Sequence, residues 1–290
     1  MASPFDLRWR LFGISFCIQP SFWLMNALWG YMLSGAVRGD NAGGLNLGMP
    51  GWASLIFILL WIACALVSVM VHELGHVIMG RIFGQPGNIT LGGLGGQAVG
   101  DYGDIKPWKR ILVIFAGPGA GFLFMALLIG LDSRPWDEAM DWLNWPSLVI
   151  RGGLIARLDP AFTLRANGVY IIVMALLIMM NLIWNIINLF PIIPMDGGMI
   201  LREVACIVSP TGGVKFAYAV SFLLAGIITV YHIVVLLQQY RYITLPFRLW
   251  SFAFPWITLI MFAIMTWRNF SALREATMQQ RRSHYAEYDD

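Results

Sequence analysis

Long apolar stretches recur along the chain, and short segments between them hold most of the polar residues. An apolar stretch of about 20 residues is long enough to cross the hydrocarbon layer of a membrane as a helix. The pattern predicts about six such helices, near Pro20–Gly35, Trp52–Met79, Ile111–Leu131, Val169–Phe190, Ala217–Leu237 and Leu245–Trp267. We therefore predict an all-α polytopic membrane protein, with a single membrane domain over residues 1–270 and a polar cytoplasmic tail over residues 271–290.

Composition and charge agree with a membrane protein. Hydrophobic residues make up 58% of the chain and charged residues 12%, whereas a soluble domain has about 25% charged residues. Lysine and arginine favour the cytoplasmic flanks of membrane helices, and they are more numerous on the inner flanks if the N-terminus is inside. Both termini are therefore expected in the cytoplasm. The net charge of +3 fits flanks beside anionic lipid rather than a nucleic-acid surface, and the lack of an organellar targeting pattern fits a prokaryotic inner membrane.

Two histidines lie inside the second apolar stretch, in the sequence His72-Glu73-Leu74-Gly75-His76. Four residues apart on a helix, His72 and His76 project from one face and can reach one metal ion, with Glu73 beside any water that the ion binds. Ionisable groups within a membrane helix are costly and usually functional. The pattern predicts a zinc site on a helix over residues 52–79; an ordinary helix with two hydrogen-bonded histidines is the alternative.

A glycine-rich segment follows the second apolar stretch, from Asn88 to Gln97. No lysine follows it as a phosphate-binding loop would require. Irregular backbone at membrane depth is tolerated only against protein or a water-filled cavity. We therefore predict a short re-entrant β-loop over residues 88–101 that returns toward the metal, with a plain cytoplasmic turn as the alternative. The small residues of Phe115–Gly121 are expected to form a packing face against the metal helix.

A second chemical signal lies at the end of the fourth apolar stretch. Pro191 and Pro194 end a helix there, because proline lacks the backbone donor, and Asp196 follows in an apolar setting. An unpaired carboxylate in that setting is costly, so it needs a cationic partner. Catalytic zinc commonly has three protein ligands and a water, and two histidines leave one position open. Residues 188–198 are therefore predicted to supply the third ligand.

These motifs, in this order and spacing, resemble the site-2 protease family of intramembrane zinc metalloproteases, and most closely its compact six-span sporulation type. The resemblance is carried by His72–His76, Ile89–Ala98, Ala116–Pro118, Asn188–Gly198 and Ile200–Arg202. Three positions depart from the usual family pattern. The family often has proline where Ile193 stands, arginine where Met199 stands and asparagine where Gly121 stands.

The resemblance implies one Zn²⁺ per chain, bound by His72, His76 and Asp196, with Glu73 as the catalytic base. It also implies that a single-pass membrane protein is cut within or near its transmembrane segment, which releases a cytoplasmic factor. A substrate helix must unwind before its peptide bond can be attacked. We hypothesise that the unwound stretch pairs with an edge formed by Ile89, Thr90 and Leu91, and that Asn188 holds a substrate backbone group or the oxyanion.

Two other functions remain open at this point. A membrane metal carrier or transporter would use the same ligands, but Glu73 would have no evident task and the chain has no inverted repeat. A catalytically silent binding partner is disfavoured because all four site residues are present.

Several polar residues have no motif. His232 lies within a predicted span and is expected either to pack through a hydrogen bond or to contact substrate. Asn181 and Asn185 are expected to make interhelical hydrogen bonds, and Asn185 is a candidate for contact with the site. The outer segment 132–165 is interpreted as a surface-lying amphipathic piece or a small cap.

Overall fold

The computed structural model describes residues 3–34, 51–93, 95–100, 105–131, 166–244 and 255–286. Its strands are β1 (Leu7–Leu11), β2 (Ile14–Ile18), β3 (Gly87–Gly92) and β4 (Gly95–Gly100). Its helices are α1 (Pro20–Leu33), α2 (Gly51–Ile82), α3 (Pro107–Leu131), α4 (Ala166–Asn188), α5 (Asp196–Val208), α6 (Gly213–Gln239) and α7 (Pro255–Ala286). The predicted outer segment 132–165 lies outside the described residues.

The chain divides into two compact units. The first unit comprises the described residues within Met1–Asp104 and Ala116–Ile186, and the second comprises those within Ile105–Phe115 and Ile187–Asp290. Each unit has its own buried core.

Four of the described helices are long and apolar enough to cross a membrane: Ser54–Ile82, Pro107–Leu131, Gly213–Gln239 and Trp256–Gln279. They match four of the predicted spans, although the last begins later than Leu245. The first predicted span falls on α1, whose 14 residues rise about 21 Å at 1.5 Å per residue and so fall short of the ~30 Å hydrocarbon layer. The fourth falls on α4, whose apolar part, Ile172–Asn188, is shorter than the four helices above. A total of six spans therefore stays a prediction.

A four-stranded sheet in the order β1-β2-β3-β4 is the main departure from an all-α fold. Strands β1 and β2 form an antiparallel hairpin, β2 pairs with β3 in parallel, and β3 pairs with β4 antiparallel. The β1–β2 turn has positive φ at Phe12 and Gly13, which suits a two-residue hairpin connection. The sequence signal for β1 was the alternation of Leu7, Trp9 and Leu11 with arginines, which is typical of a strand.

The core of the first unit forms where the sheet packs on α2. The inward side chains of β2 and β3 meet the side chains of Val69 and Val77, and the cluster comprises Ile14, Phe16, Ile18, Phe22, Val69, Val77, Ile89 and Leu91. A second cluster joins α2 to α4 through Phe57, Cys64, Ala65, Ile172, Leu176 and Met180. Helix α2 is thereby packed on both the sheet and α4.

The core of the second unit centres on Ile192, Met195, Ala225 and Phe262. These residues come from the loop before α5 and from α6 and α7. At the start of α3, Arg110 Nε donates to Glu203 Oε2 of α5 at 2.7 Å, and Arg110 Nη1 donates to the carbonyl of Ile105 at 3.2 Å. The ion pair thus ties the first turn of α3 to α5.

Candidate metal centre

His72 and His76 are both buried on one face of α2. Their Nε2 atoms are 3.1 Å apart, and the two rings stand nearly perpendicular at 80°. Two imidazole nitrogens bound to one tetrahedral zinc, each about 2.0–2.1 Å from it, lie about 3.3 Å apart. The separation of the two nitrogens therefore fits a shared metal ion.

A chain of amide groups orients His72. Asn185 Nδ2 donates to the carbonyl of Asn181, so Asn185 Oδ1 is left to face His72 Nδ1 at 2.8 Å. Because an amide oxygen only accepts, His72 Nδ1 carries the proton and its Nε2 keeps the lone pair that a metal needs. Asn181 Nδ2 donates in turn to Ser68 Oγ of α2 at 3.0 Å. The predicted interhelical hydrogen bonds of Asn181 and Asn185 are confirmed, and Asn185 is bonded to a candidate metal ligand.

Glycines let α3 approach α2 at this point. A Cβ at Gly75 would overlap the carbonyl oxygen of Ala116, and a Cβ at Gly117 would overlap Nε2 of His76. The expected packing face on the small residues of α3 is thus confirmed. A Cβ at Gly121 would overlap the Asn185 side chain, so the absence of a side chain at this position leaves room for an asparagine from α4.

Strand β4 runs directly against the candidate base. Glu73 is buried, and a Cβ at Gly96 would overlap its carboxylate. Gly95 has a φ of +124°, a backbone conformation that residues with a side chain rarely adopt, and a Cβ there would overlap the Trp184 ring. The β3–β4 hairpin therefore packs on the metal helix beside Glu73. Its position relative to a membrane stays a prediction.

The predicted sheet edge at Ile89–Leu91 is wrong. Strand β3 pairs with β2 on one side and with β4 on the other, so Thr90 lies between Cys17 and Gln97. Ile89 and Leu91 are buried in the core of the first unit. The error arises because β2 was not predicted. In the described sheet the terminal strands are β1 and β4.

Asp196 lies in the second unit as the first residue of α5, directly after the loop that contains Pro191 and Pro194. Gly197 and Gly198 allow the first turn of α5 to pack on the backbone of this loop, because a Cβ at either would overlap backbone atoms of Leu189–Ile193. Asn188 is the last residue of α4 and is half-buried; its role stays a prediction. Imidazole and carboxylate side chains are common metal ligands. Such ligands that could hold a metal ion are present at His72, His76 and Asp196.

His232 is buried on α6, and its Nδ1 lies 2.9 Å from the carbonyl of Ile228 one turn earlier. Its ring also meets that of Tyr231 edge to face. These contacts fit the packing interpretation of this histidine.

The chain is similar to a curated protein and to a solved structure. The relative, "Putative zinc metalloprotease sll0528" from Synechocystis, is 31% identical over 196 residues, which are 67% of this chain and 42% of the relative. The chain therefore spans less than half the length of that protein. The structure of the site-2 protease from Methanocaldococcus jannaschii has 20% identity and a TM-score of 0.49, over 93% of this chain and 95% of that chain. No family model matches the chain.

The sequence identity makes this chain a relative of the Synechocystis protein over those 196 residues. It agrees with the resemblance to the site-2 protease family that the motifs carry.

The contact between α3 and His76 gives a direct test. We expect Gly117→Ala to lower the affinity for zinc about tenfold or more, because the added methyl overlaps Nε2 and displaces the imidazole. Zinc affinity of the purified variant, measured by competition with a chelator, checks this. Gly130→Ala on the same helix is the matched control, since the added methyl would lie within 4 Å of no described residue outside its own stretch of helix. Equal affinities in the two variants would contradict the assignment.

Proposed function

We propose that this protein is an intramembrane zinc metalloprotease, which hydrolyses a peptide bond within or near the transmembrane segment of a single-pass membrane protein. Cleavage releases a cytoplasmic factor, as in regulated intramembrane proteolysis. The observation that carries the proposal is the 3.1 Å separation of His72 Nε2 and His76 Nε2, with Glu73 buried on the same apolar helix.

One zinc ion per chain would be held by His72, His76 and Asp196. When bound, the ion would lower the pKa of a water molecule toward about 7 and polarise the scissile carbonyl. Three features of the chain support a metal over a histidine pair that merely packs. The two Nε2 atoms are 3.1 Å apart, Asn185 fixes the tautomer of His72, and a glutamate accompanies the pair.

Residues of the chain would transfer the proton and exclude solvent. Glu73 takes the proton of the attacking water and delivers it to the departing amine. Gly96 brings the backbone of β4 against that carboxylate, which excludes solvent from one side of it. Gly117 brings the backbone of α3 against His76 and closes a second side. A narrow site that excludes bulk solvent would hold the attacking water at the position where Glu73 can deprotonate it.

A membrane setting follows from the helix that carries the motif. The candidate span Ser54–Ile82 has 29 residues and a mean hydropathy of 2.8 in its most apolar window, and His72, Glu73 and His76 lie in its second half. Arg81 follows near its end, and the preference of arginine for inner flanks favours a site toward the cytoplasm. The proposed location is a prokaryotic inner membrane, with both termini cytoplasmic.

The substrate strand is proposed to add to β4. This strand ends the described sheet and its backbone contacts Glu73 at Gly96. An unwound stretch of substrate that hydrogen-bonds along β4 would replace the helical hydrogen bonds it has lost, and would bring its peptide bond beside the base. Asn188 is proposed as a further contact to the substrate backbone.

Replacing Glu73 by glutamine separates hydrolysis from metal binding. Glu73→Gln keeps the size of the side chain but cannot accept the water proton, so we expect cleavage of a synthetic transmembrane peptide to fall at least about 100-fold with zinc content unchanged. Glu275→Gln, at an exposed position on α7, is the control and should cleave normally. Zinc transport by wild-type protein that cleaves nothing would contradict the proposal and favour a metal carrier.

Two proline variants test the substrate strand. Successive backbone N–H groups of β4 point to opposite sides, so Gln97→Pro and Ala98→Pro remove one donor that faces β3 and one that faces outward. Proline is tolerated where the N–H of an edge strand faces away from the sheet. The variant that loses the donor facing β3 should unfold at a lower temperature. The variant that loses the outward donor should stay folded with zinc bound but cleave at least about tenfold more slowly, because it lacks a hydrogen bond to substrate. Full cleavage by both folded variants would remove the β4 proposal.

A further inference from the structure

We propose that Ser221 and Asn269 are positioning residues that hold the loop before Asp196, and so aim its carboxylate. Residues 191–195 are called the ligand loop here. The inference rests on the proposed function, because it takes Asp196 to be a zinc ligand. Ser221 belongs to α6 and Asn269 to α7, and nothing in the sequence pattern marks either residue.

Both backbone polar groups of Ile193, in the middle of the ligand loop, are bonded to these side chains. The N–H of Ile193 donates to Ser221 Oγ at 3.1 Å, and its carbonyl accepts from Asn269 Nδ2 at 2.7 Å. Ser221 and Asn269 are almost completely buried. Buried backbone groups outside regular structure require partners, and here the partners come from two separate helices.

The amide of Asn269 is oriented for this contact. Its Nδ2 also donates to the carbonyl of Met265 at 2.8 Å, whereas Oδ1 is buried and has no hydrogen-bond partner among the described residues. A flipped amide would point Oδ1 at two carbonyl oxygens, which is repulsive. The side chain therefore serves as a double donor and leaves its acceptor unpaired, which is unusual for a buried amide.

Apolar contacts seat the loop on the same two helices. Ile192 and Met195 are buried against Ala225 of α6 and Phe262 of α7. The first turn of α5 then packs on the loop, because Gly198 has no side chain to hold it away from the backbone of Ile192. The position of Ile193 therefore fixes the start of α5, where Asp196 lies.

The Ser221 bond depends on a feature of this chain. Proline often stands at the position of Ile193 in the family, and proline has no N–H to donate. The isoleucine restores that donor, and Ser221 accepts from it. Groups that orient metal ligands commonly change metal affinity or activity by about 10- to 100-fold when they are removed. We expect an effect near the lower end of that range, because Ser221 and Asn269 act through the backbone.

The test compares variants of the ligand-loop contacts with variants of a second polar contact between α6 and α7. Ser221→Ala and Asn269→Leu remove the bonds to Ile193, and Ser221→Thr keeps the hydroxyl. Thr229→Val and Thr266→Val are the controls, because Thr229 Oγ1 and Thr266 Oγ1 lie 3.1 Å apart on the same two helices. Zinc affinity is measured by chelator competition, thermal unfolding is measured on the metal-free protein, and hydrogen exchange reports on the amide of Ile193.

We expect zinc affinity about tenfold weaker in Ser221→Ala and Asn269→Leu, near wild type in Ser221→Thr, and unchanged in the threonine controls even where these unfold at a lower temperature. The Ile193 amide should exchange faster in metal-free Ser221→Ala than in wild type. Equal zinc affinity in all variants, with zinc bound by wild type, would overturn the positioning role and leave the proposed function standing. Wild-type protein that binds no zinc would overturn the proposed function. Unchanged hydrogen exchange of the Ile193 amide in Ser221→Ala would show that Ser221 does not hold the ligand loop in place.

Discussion

Polar side chains inside an apolar helix must find partners within the protein, and the first unit is built around this requirement on α2. His72, Glu73 and His76 are buried where water cannot solvate them. Asn185 supplies the hydrogen bond that holds His72, and Asn181 and Ser68 extend the same network back to α2. The network gives His72 a defined orientation on an apolar helix, as a metal-binding imidazole requires.

Close backbone approach is the second constraint on the site. At Gly75, Gly96 and Gly117 any side chain would overlap a residue of the site or the helix beside it. Glu73 and His76 therefore each have one side closed by the backbone of a glycine, at Gly96 and at Gly117. Backbone at Gly96 belongs to a terminal strand of the sheet, so its polar groups are available to an added strand. The same short stretch of β4 thus combines close packing on Glu73 with an open strand edge in the described sheet.

The metal motif and the packing face were predictable because both have a local pattern. Histidines four residues apart define a helix face, and dense small residues at Phe115–Gly121 indicate close contact in an apolar setting. The β1–β2 hairpin was missed because its strands have only five residues each, which is too short for a clear alternating pattern. That omission led to the wrong edge at Ile89–Leu91. Ser221 and Asn269 could not have been found, since each bonds a backbone group far away in sequence and so leaves no side-chain pattern.

X-ray absorption of the zinc-loaded protein can show whether two imidazoles and a carboxylate bind one zinc ion. Wild-type protein should give a four-coordinate zinc with two imidazole nitrogens and oxygen ligands at about 2.0–2.2 Å. Asp196→Ala should change the oxygen shell and weaken the zinc affinity. An identical zinc spectrum and full zinc occupancy in Asp196→Ala would contradict binding by the Asp196 carboxylate.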